Sequence, residues 1–220
     1  MIEKILTTPS LPTVRRLPTY LRLLKELQDE KQHYVSSTYI AERFQLEPIQ
    51  VRKDLAAMGI VGQPRLGFAV TELTCAIMQF LGWNNASEAF LIGAGNLGSA
   101  LAGYSGFADY GLNIVAAFDV DKSKIGTRIH DIKVFPLQKL PDLALRLHVH
   151  IGILTLPAAA AQTTTDMLVQ AGITAIWNFT PVKLMAPKGV IVEKVDLAAS
   201  LAVLSRSVKE KLPLKIAQGA

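Results

Sequence analysis

Residues 89–92 form a short apolar run that breaks into Gly93-Ala94-Gly95-Asn96-Leu97-Gly98, and apolar positions at Leu97, Leu101 and Tyr104 follow at helical spacing. Strand, G-x-G-x-x-G and helix in this order constrain the fold strongly. Gly93 permits a tight turn off the strand, Gly95 lets the backbone approach a pyrophosphate, and Gly98 lets the helix pack close to its strand. The helix start offers N–H groups and positive partial charge to phosphates. A second apolar run, 114–118, ends in Asp119, about 20 residues beyond the last glycine, where a ribose-binding acid is expected. The sequence therefore predicts a dinucleotide site on Gly93, Ala94, Gly95, Asn96, Leu97, Gly98 and Asp119. A carboxylate there favours NAD over NADP by repelling a 2′-phosphate, although Lys122 and Lys124 work against it.

Downstream, 132–135 reads as a strand before Pro136 and 140–147 as a helix. A strand over 149–155 is ended by Leu156-Pro157, and an alanine-rich helix over 158–171 stops at Gly172. Further strands are expected at 175–179, ending in Thr180-Pro181, and at 190–195. Apolar strands alternating with helices argue for an α/β fold with a Rossmann-type, doubly wound parallel sheet. Ligands of such sheets sit at the carboxyl ends of strands. That rule adds Thr155, Leu156, Pro157, Asn178, Phe179 and Thr180 to the cofactor set. An apolar-faced helix over 196–211 (Leu197, Leu201, Leu204, Val208) then packs on its own domain or on a partner subunit, and the tail 212–220 has little signature.

The first eighty residues read differently. Val14, Leu17, Leu21, Leu24 and Leu27 predict a long amphipathic helix to about residue 29 or 30, with Arg15, Arg16, Arg22 and Glu26 on its other face and Pro18 inside it. Ser36 or Ser37 caps a short helix over 38–44. After the turn Gln45-Leu46-Glu47, Pro48 begins a helix over 48–58 that buries Val51, Leu55 and Met58. Two short helices about such a turn are a helix-turn-helix layout. Arg52 or Lys53 can reach guanine edges or phosphates, and Gln50 can pair with adenine. Residues 59–68, rich in glycine around Arg65, predict a hairpin wing, and a helix from Thr71 ends at Gly82. The expected nucleic-acid set is Arg16, Gln50, Arg52, Lys53 and Arg65. Expected domains are a winged helix over 1–82, a dinucleotide domain over 83–195, and a dimerising helix and tail over 196–220.

Several function classes recede. The balance of 23 basic and 18 acidic residues, +5 in a chain of 220, permits an anionic partner without demanding one. The single cysteine, Cys75, excludes an intramolecular disulfide framework and fits a reducing compartment. Residues 1–5 do not look like a signal peptide, and no run approaches the ~18–20 apolar residues of a membrane span, so a cytoplasmic protein is expected. No Cys/His cluster has metal spacing. A dehydrogenase needs a group that moves the substrate proton beside the hydride. No Tyr-x-x-x-Lys occurs, and His33, His130, His148 and His150 are poorly placed for that role. No catalytic residue is therefore assigned, and the cofactor is expected to be read rather than turned over. Two other readings remain: an NAD-dependent oxidoreductase with an accessory N-terminal domain, and a nucleotide-binding module for coenzyme A.

Nearly the whole chain resembles the bacterial Rex family of redox-sensing transcriptional repressors. The resemblance is carried by Arg16-Leu17-Pro18 with Tyr20-Leu21-Arg22, Val35-Ser36-Ser37 and Gln50-Val51-Arg52-Lys53-Asp54-Leu55 in the first half. In the second half it is carried by the glycine loop, Phe118-Asp119-Val120-Asp121, Leu154-Thr155-Leu156-Pro157-Ala158, Asn178-Phe179-Thr180-Pro181 and Val195-Asp196-Leu197-Ala198. The resemblance implies a homodimer with exchanged C-terminal helices, bound to a palindromic double-stranded operator and released by NADH, with NAD⁺ competing for the same site. It also implies that Arg52 and Lys53 enter the major groove and that the wing touches the minor groove. Tyr104, Asp196 of the partner subunit and Arg22 would form the signalling set near the nicotinamide. Two departures stand out. The wing, Gly62-Gln63-Pro64-Arg65-Leu66-Gly67-Phe68, keeps one basic residue, and Leu197 replaces a phenylalanine that some members place against the nicotinamide.

Overall fold

The computed structural model describes residues 9–85 and 87–211. The chain divides into two compact units, Met1–Ala86 with Ala108–Gly111, and Ser87–Phe107 with Leu112–Ala220. The expectations for residues 1–5 and for the tail 212–220 lie outside the described residues. Among those described, no helix is long and apolar enough to cross a membrane.

In the first unit, α1 (Leu11–Asp29) is capped by Ser10, whose hydroxyl accepts the Thr13 N–H at 3.3 Å. It buries Leu17, Tyr20, Leu21, Leu24 and Leu27, and it continues through Pro18. Ser36, rather than Ser37, caps α2 (Ser37–Phe44), accepting the Tyr39 N–H at 3.0 Å. Gln45 turns the chain in the left-handed conformation, and Pro48 opens α3 (Pro48–Ala57) at a position where its missing N–H has no cost. Val51 and Leu55 of α3 join the α1 leucines in one core, with Met58, just past the helix end, packed at its border. The two strands β1 (Tyr34–Val35) and β2 (Phe68–Ala69) pair antiparallel, and reciprocal Gln63–Gly67 backbone bonds close the hairpin between α3 and β2. Gly67 has φ +89°, and a Cβ there would collide with the Val35 carbonyl oxygen, so the wing base requires glycine. Helix α4 (Val70–Leu81) ends on Gly82 in the left-handed region.

The second unit holds a seven-stranded sheet: β3 (Ser87–Ile92), β4 (Leu112–Asp119), β5 (Arg128–Ile129), β6 (Ile132–Pro136), β7 (Ile151–Leu154), β8 (Ala175–Asn178) and β9 (Ile191–Lys194), in the order β5-β6-β4-β3-β7-β8-β9. All neighbours are parallel except β5–β6. Ranked along the chain, the six parallel strands lie in the order 3-2-1-4-5-6 of a dinucleotide-binding sheet. The order reverses between β3 and β7, and this crevice is where such a sheet takes its ligand. Phe90 and Phe118 meet edge to face at 4.9 Å within the core below it. Helices α5 (Asn96–Ala102), α6 (Gly106–Asp109), α7 (Leu140–Leu147), α8 (Ala158–Gln170) and α9 (Leu197–Lys211) complete the described chain.

Three local expectations change. The strand expected over 149–155 is confined to β7. The polar stretch after Asp121 contains β5, joined to β6 by His130 and Asp131, both at positive φ. Arg128 Nη1 donates to the Asp131 carbonyl at 2.6 Å and braces that turn. Helix α5 ends at Ala102, so Tyr104 lies beyond it and not on it.

Candidate cofactor cleft and nucleic-acid face

The glycine loop is shaped by its neighbours on both sides. The Gly93 N–H donates to the Phe118 carbonyl at 2.8 Å, and the Thr155 hydroxyl donates to the Gly93 carbonyl at 2.8 Å. Gly93 sits at φ +102°, where a Cβ would lie 2.6 Å from the Thr155 carbonyl oxygen. A Cβ on Gly98 would run into the Gly93 carbonyl oxygen. Gly95 differs: an added Cβ there meets no atom within 4 Å. The loop is thus packed on its inner side and open at Gly95, as a backbone that receives a pyrophosphate must be.

A cleft of about 560 Å³ opens over the loop. Of the expected residues, Gly93, Gly95, Asp119, Thr155, Leu156 and Pro157 line it. Val120, Lys124, Leu137, Ala160 and Thr164 also line it and were not expected. Ala160 and Thr164 could have been found by stepping along α8 from Pro157 at helical spacing. Ala94 and Asn96 line a separate depression beside Gly95, together with Ser99, Thr127 and Arg128. Leu97 is exposed on α5.

Asp119, the expected ribose-binding acid, is engaged here by main-chain donors and a lysine. Its Oδ2 accepts the Ala94 N–H at 2.8 Å and faces Lys124 Nζ at 3.3 Å. Its Oδ1 accepts the Val120 and Asp121 N–H groups at 2.8 and 2.9 Å. Four donors occupy the roughly four lone-pair sites of a carboxylate. Burial alone would push this acid up, but the Asp121 and Ala94 N–H bonds and Lys124 outweigh it and hold it below the ordinary carboxylate range. Asp119 therefore knots the end of β4 to the glycine loop, and a ribose hydroxyl would have to share these sites.

Asn178 and Thr180 are also turned inward. Asn178 Oδ1 accepts the Thr180 N–H at 2.8 Å and the Thr180 hydroxyl at 2.7 Å, while its Nδ2 donates to the Val182 carbonyl at 2.9 Å. Both residues are buried, so they form the turn after β8 and do not line the cleft. Phe179 lies between them in sequence and packs on Trp177, with ring centroids 5.0 Å apart. Tyr104 is exposed and meets Phe107 edge to face at 4.9 Å. Asp196 accepts the Ala199 N–H at the start of α9 at 2.9 Å and pairs with Lys194 at 3.2 Å; these contacts hold its carboxyl below the ordinary range. Arg22, in the first unit, is exposed on α1.

The expected nucleic-acid set divides in two. Arg52 and Lys53 are exposed on α3, with Arg52 only 3.4 Å from the Ser37 hydroxyl, and Arg65 is exposed at the hairpin tip at φ 66°. Arg16 and Gln50 are instead engaged with Asp54. Arg16 forks onto both Asp54 oxygens at 2.7 Å, and Gln50 Nε2 donates to Oδ1 at 2.9 Å. Among the described residues, no group of three or more His, Cys, Asp or Glu side chains is placed to hold a metal ion.

Residues 84–182 match the family described as "CoA binding domain", and residues 9–56 match "Putative DNA-binding protein N-terminus". The redox-sensing transcriptional repressor Rex of Treponema denticola is 50% identical over 203 residues, covering 92% of this chain and 97% of that protein. The protein of the same name from Bacteroides fragilis is 42% identical over 193 residues, covering 88% of each. Among solved structures, RSP in complex with β-NAD⁺ and operator DNA superposes with a TM-score of 0.87 at 38% identity, covering 93% of this chain and 94% of that one. RSP in complex with β-NADH gives 0.83 at 38% identity, covering 93% and 96%.

Proposed function

The chain belongs to the Rex family of redox-sensing transcriptional repressors, and on that premise we propose that it holds a palindromic operator until NADH occupies the cleft over residues 93–98. The observation that carries this reading is the pairing, in one chain, of an exposed basic helix with a glycine loop open at Gly95. The relative solved with NAD⁺ on operator DNA, and again with NADH, supports it over nearly the full length. Arg52 and Lys53 read the major groove, Arg65 reaches the minor groove from the wing, and the pyrophosphate lies over Gly95. NADH acts as a signal and is not turned over, so the protein is a regulator and not an enzyme, working in the cytoplasm.

Two copies act together. Leu197, Leu201 and Leu204 of α9 are 64%, 61% and 60% exposed, spaced on one helical face that a single chain leaves to solvent. A second subunit covers this face by helix exchange and brings its own Asp196 towards the nicotinamide end, and the family resemblance adds Tyr104 and Arg22 to the signalling set. A carboxylate near the cofactor and an arginine on α1 give a ligand the differential contact that it needs to shift a dimer between states.

The test is a DNA-binding titration on a palindromic duplex selected from a random-core library. NADH should release the duplex at concentrations where NAD⁺ does not, and NAD⁺ should raise the NADH needed. Because the central family match bears the coenzyme A name, coenzyme A belongs in the same titration. Release by coenzyme A and not by NADH would replace this reading with the nucleotide-module alternative. Steady oxidation of NADH by a small carbonyl substrate would replace it with the oxidoreductase.

A further inference from the structure

Asp54 is the most thoroughly partnered carboxylate among the described residues, and the proposed cycle gives it no part. It sits on α3 directly after Arg52 and Lys53 and is 1% exposed. Oδ1 accepts Thr13 Oγ1 at 3.1 Å, Arg16 Nη2 at 2.7 Å and Gln50 Nε2 at 2.9 Å. Oδ2 accepts Arg16 Nε at 2.7 Å and the Tyr20 hydroxyl at 2.9 Å. Thr13, Arg16 and Tyr20 stand at i, i+3 and i+7 on α1, one stripe of that helix. Burial would push Asp54 up, but hydrogen bonds from Arg16, Gln50, Tyr20 and Thr13 outweigh it and keep the group below the ordinary carboxylate range.

The hydrophobic attraction between two helices is non-directional, so on its own it specifies their rotation less sharply than a directional bond does. A planar fork on a carboxylate is different: two parallel bonds set direction as well as distance. Arg52 and Lys53 lie on the two positions before Asp54, so any rotation of α3 about its axis carries their tips with it. A turn of about 10° moves a tip about 10 Å from the axis by nearly 2 Å, enough to break a bidentate pair with a base edge.

We propose that Asp54 is the clamp that sets the rotation of α3 against α1, and that Arg16 governs operator recognition as a positioning residue acting through Asp54 without touching DNA. The proposal rests on the repressor reading above and assigns Arg16 a role other than the direct contact expected from the sequence. It ties α1, which also carries Arg22, rigidly to the helix that reads the operator.

The experiment is a double-mutant cycle of Arg16→Gln and Asp54→Asn on the full chain. Operator affinity is measured by fluorescence anisotropy across a salt series, with NADH affinity and far-ultraviolet circular dichroism measured alongside. Each single substitution should weaken operator binding about tenfold, within the range for directly coupled residues, and the double should lose no more than either single. NADH affinity should not change. The salt slope should also stay unchanged in Arg16→Gln, whereas loss of a phosphate contact would reduce it by about one. A reduced slope in Arg16→Gln alone, additive losses, or wild-type operator affinity in both singles would overturn the proposal. Should either single unfold at the assay temperature, Arg16→Lys keeps the charge without the fork and Tyr20→Phe removes one donor. Both should then weaken the operator complex about two- to fivefold at unchanged salt slope, and wild-type affinity in both would overturn the clamp. Failure of the wild-type protein to bind any selected duplex would overturn the repressor reading itself, and that result is read before any variant is compared.

Discussion

Each unit of this protein contains a carboxylate on which the surrounding donors converge, and the two are held by different parts of the chain. Asp54 in the first unit is gripped mainly by side chains reaching from α1, together with Gln50 of its own helix. Asp119 in the second is gripped mainly by backbone N–H groups of Ala94, Val120 and Asp121. A side-chain grip fixes one helix against another and can be retuned by single substitutions. A backbone grip fixes a loop whose shape depends on its glycines. The first unit therefore carries its recognition geometry in side chains, and the second carries its cofactor geometry in the main chain.

The largest effect should come from disturbing the main-chain grip. In Gly98→Ala the new Cβ meets the Gly93 carbonyl oxygen, and overpacking of this kind costs about 1–3 kcal/mol. NADH fluorescence titration should show affinity falling by about one to two orders of magnitude, while operator binding without cofactor persists. If the variant lost both together, the separation of the two units' tasks would fail.

Next comes the exposed side of the first unit. Arg52→Ala should weaken operator binding by about 1–3 kcal/mol, the range for a lost base contact, with NADH affinity unchanged. Equal loss of both would mean that Arg52 serves the fold. Asp119→Asn tests the second carboxylate: it keeps an acceptor for some donors and loses the charge, so NADH affinity should fall by less than in Gly98→Ala.

Acid should act on both units in one direction. Asp54 and Asp119 lie below the ordinary carboxylate range when folded, so each binds its proton more readily when unfolded. Their stabilisation is complete above the ordinary value of about 3.9 and is lost as the pH falls through the lower folded values. Urea midpoints measured from pH 7 downward should hold until near pH 5 and then decline, more shallowly in Asp119→Asn. The smallest effect is expected for Lys124→Met, since the Lys124–Asp119 pair is partly exposed and such pairs contribute below about 1 kcal/mol.

The sequence made the cofactor unit legible because its signals are local. A strand, three glycines and a helix are neighbours in the chain, and the parallel sheet follows from the alternation of strands and helices. Local signals failed where the structure departs from common turn chemistry. His130 and Asp131 adopt left-handed conformations without glycine, so the β5–β6 hairpin gave no turn signature. Gly103 ends α5 and drops Tyr104 from the helix to which its spacing assigned it. Asn178 and Thr180 read as cofactor ligands because they end a strand, yet their polar atoms satisfy one another.

The Asp54 clamp was the least legible part of all. The sequence places Arg16 on the outer face of the helix and gives Thr13 and Tyr20 no role, and their common partner lies 34 or more residues away. A stripe of hydrogen-bonding side chains looks the same whether it meets water, a phosphate or a buried acid. Only the fold separates these cases.

The central claim is that the cleft over residues 93–98 controls the DNA-binding face. Anisotropy of a labelled operator at fixed protein, titrated with NADH at several fixed concentrations of NAD⁺, tests it most directly. The duplex should dissociate as NADH rises, with the midpoint moving up as NAD⁺ is added. An operator complex that stays intact at saturating NADH would contradict it.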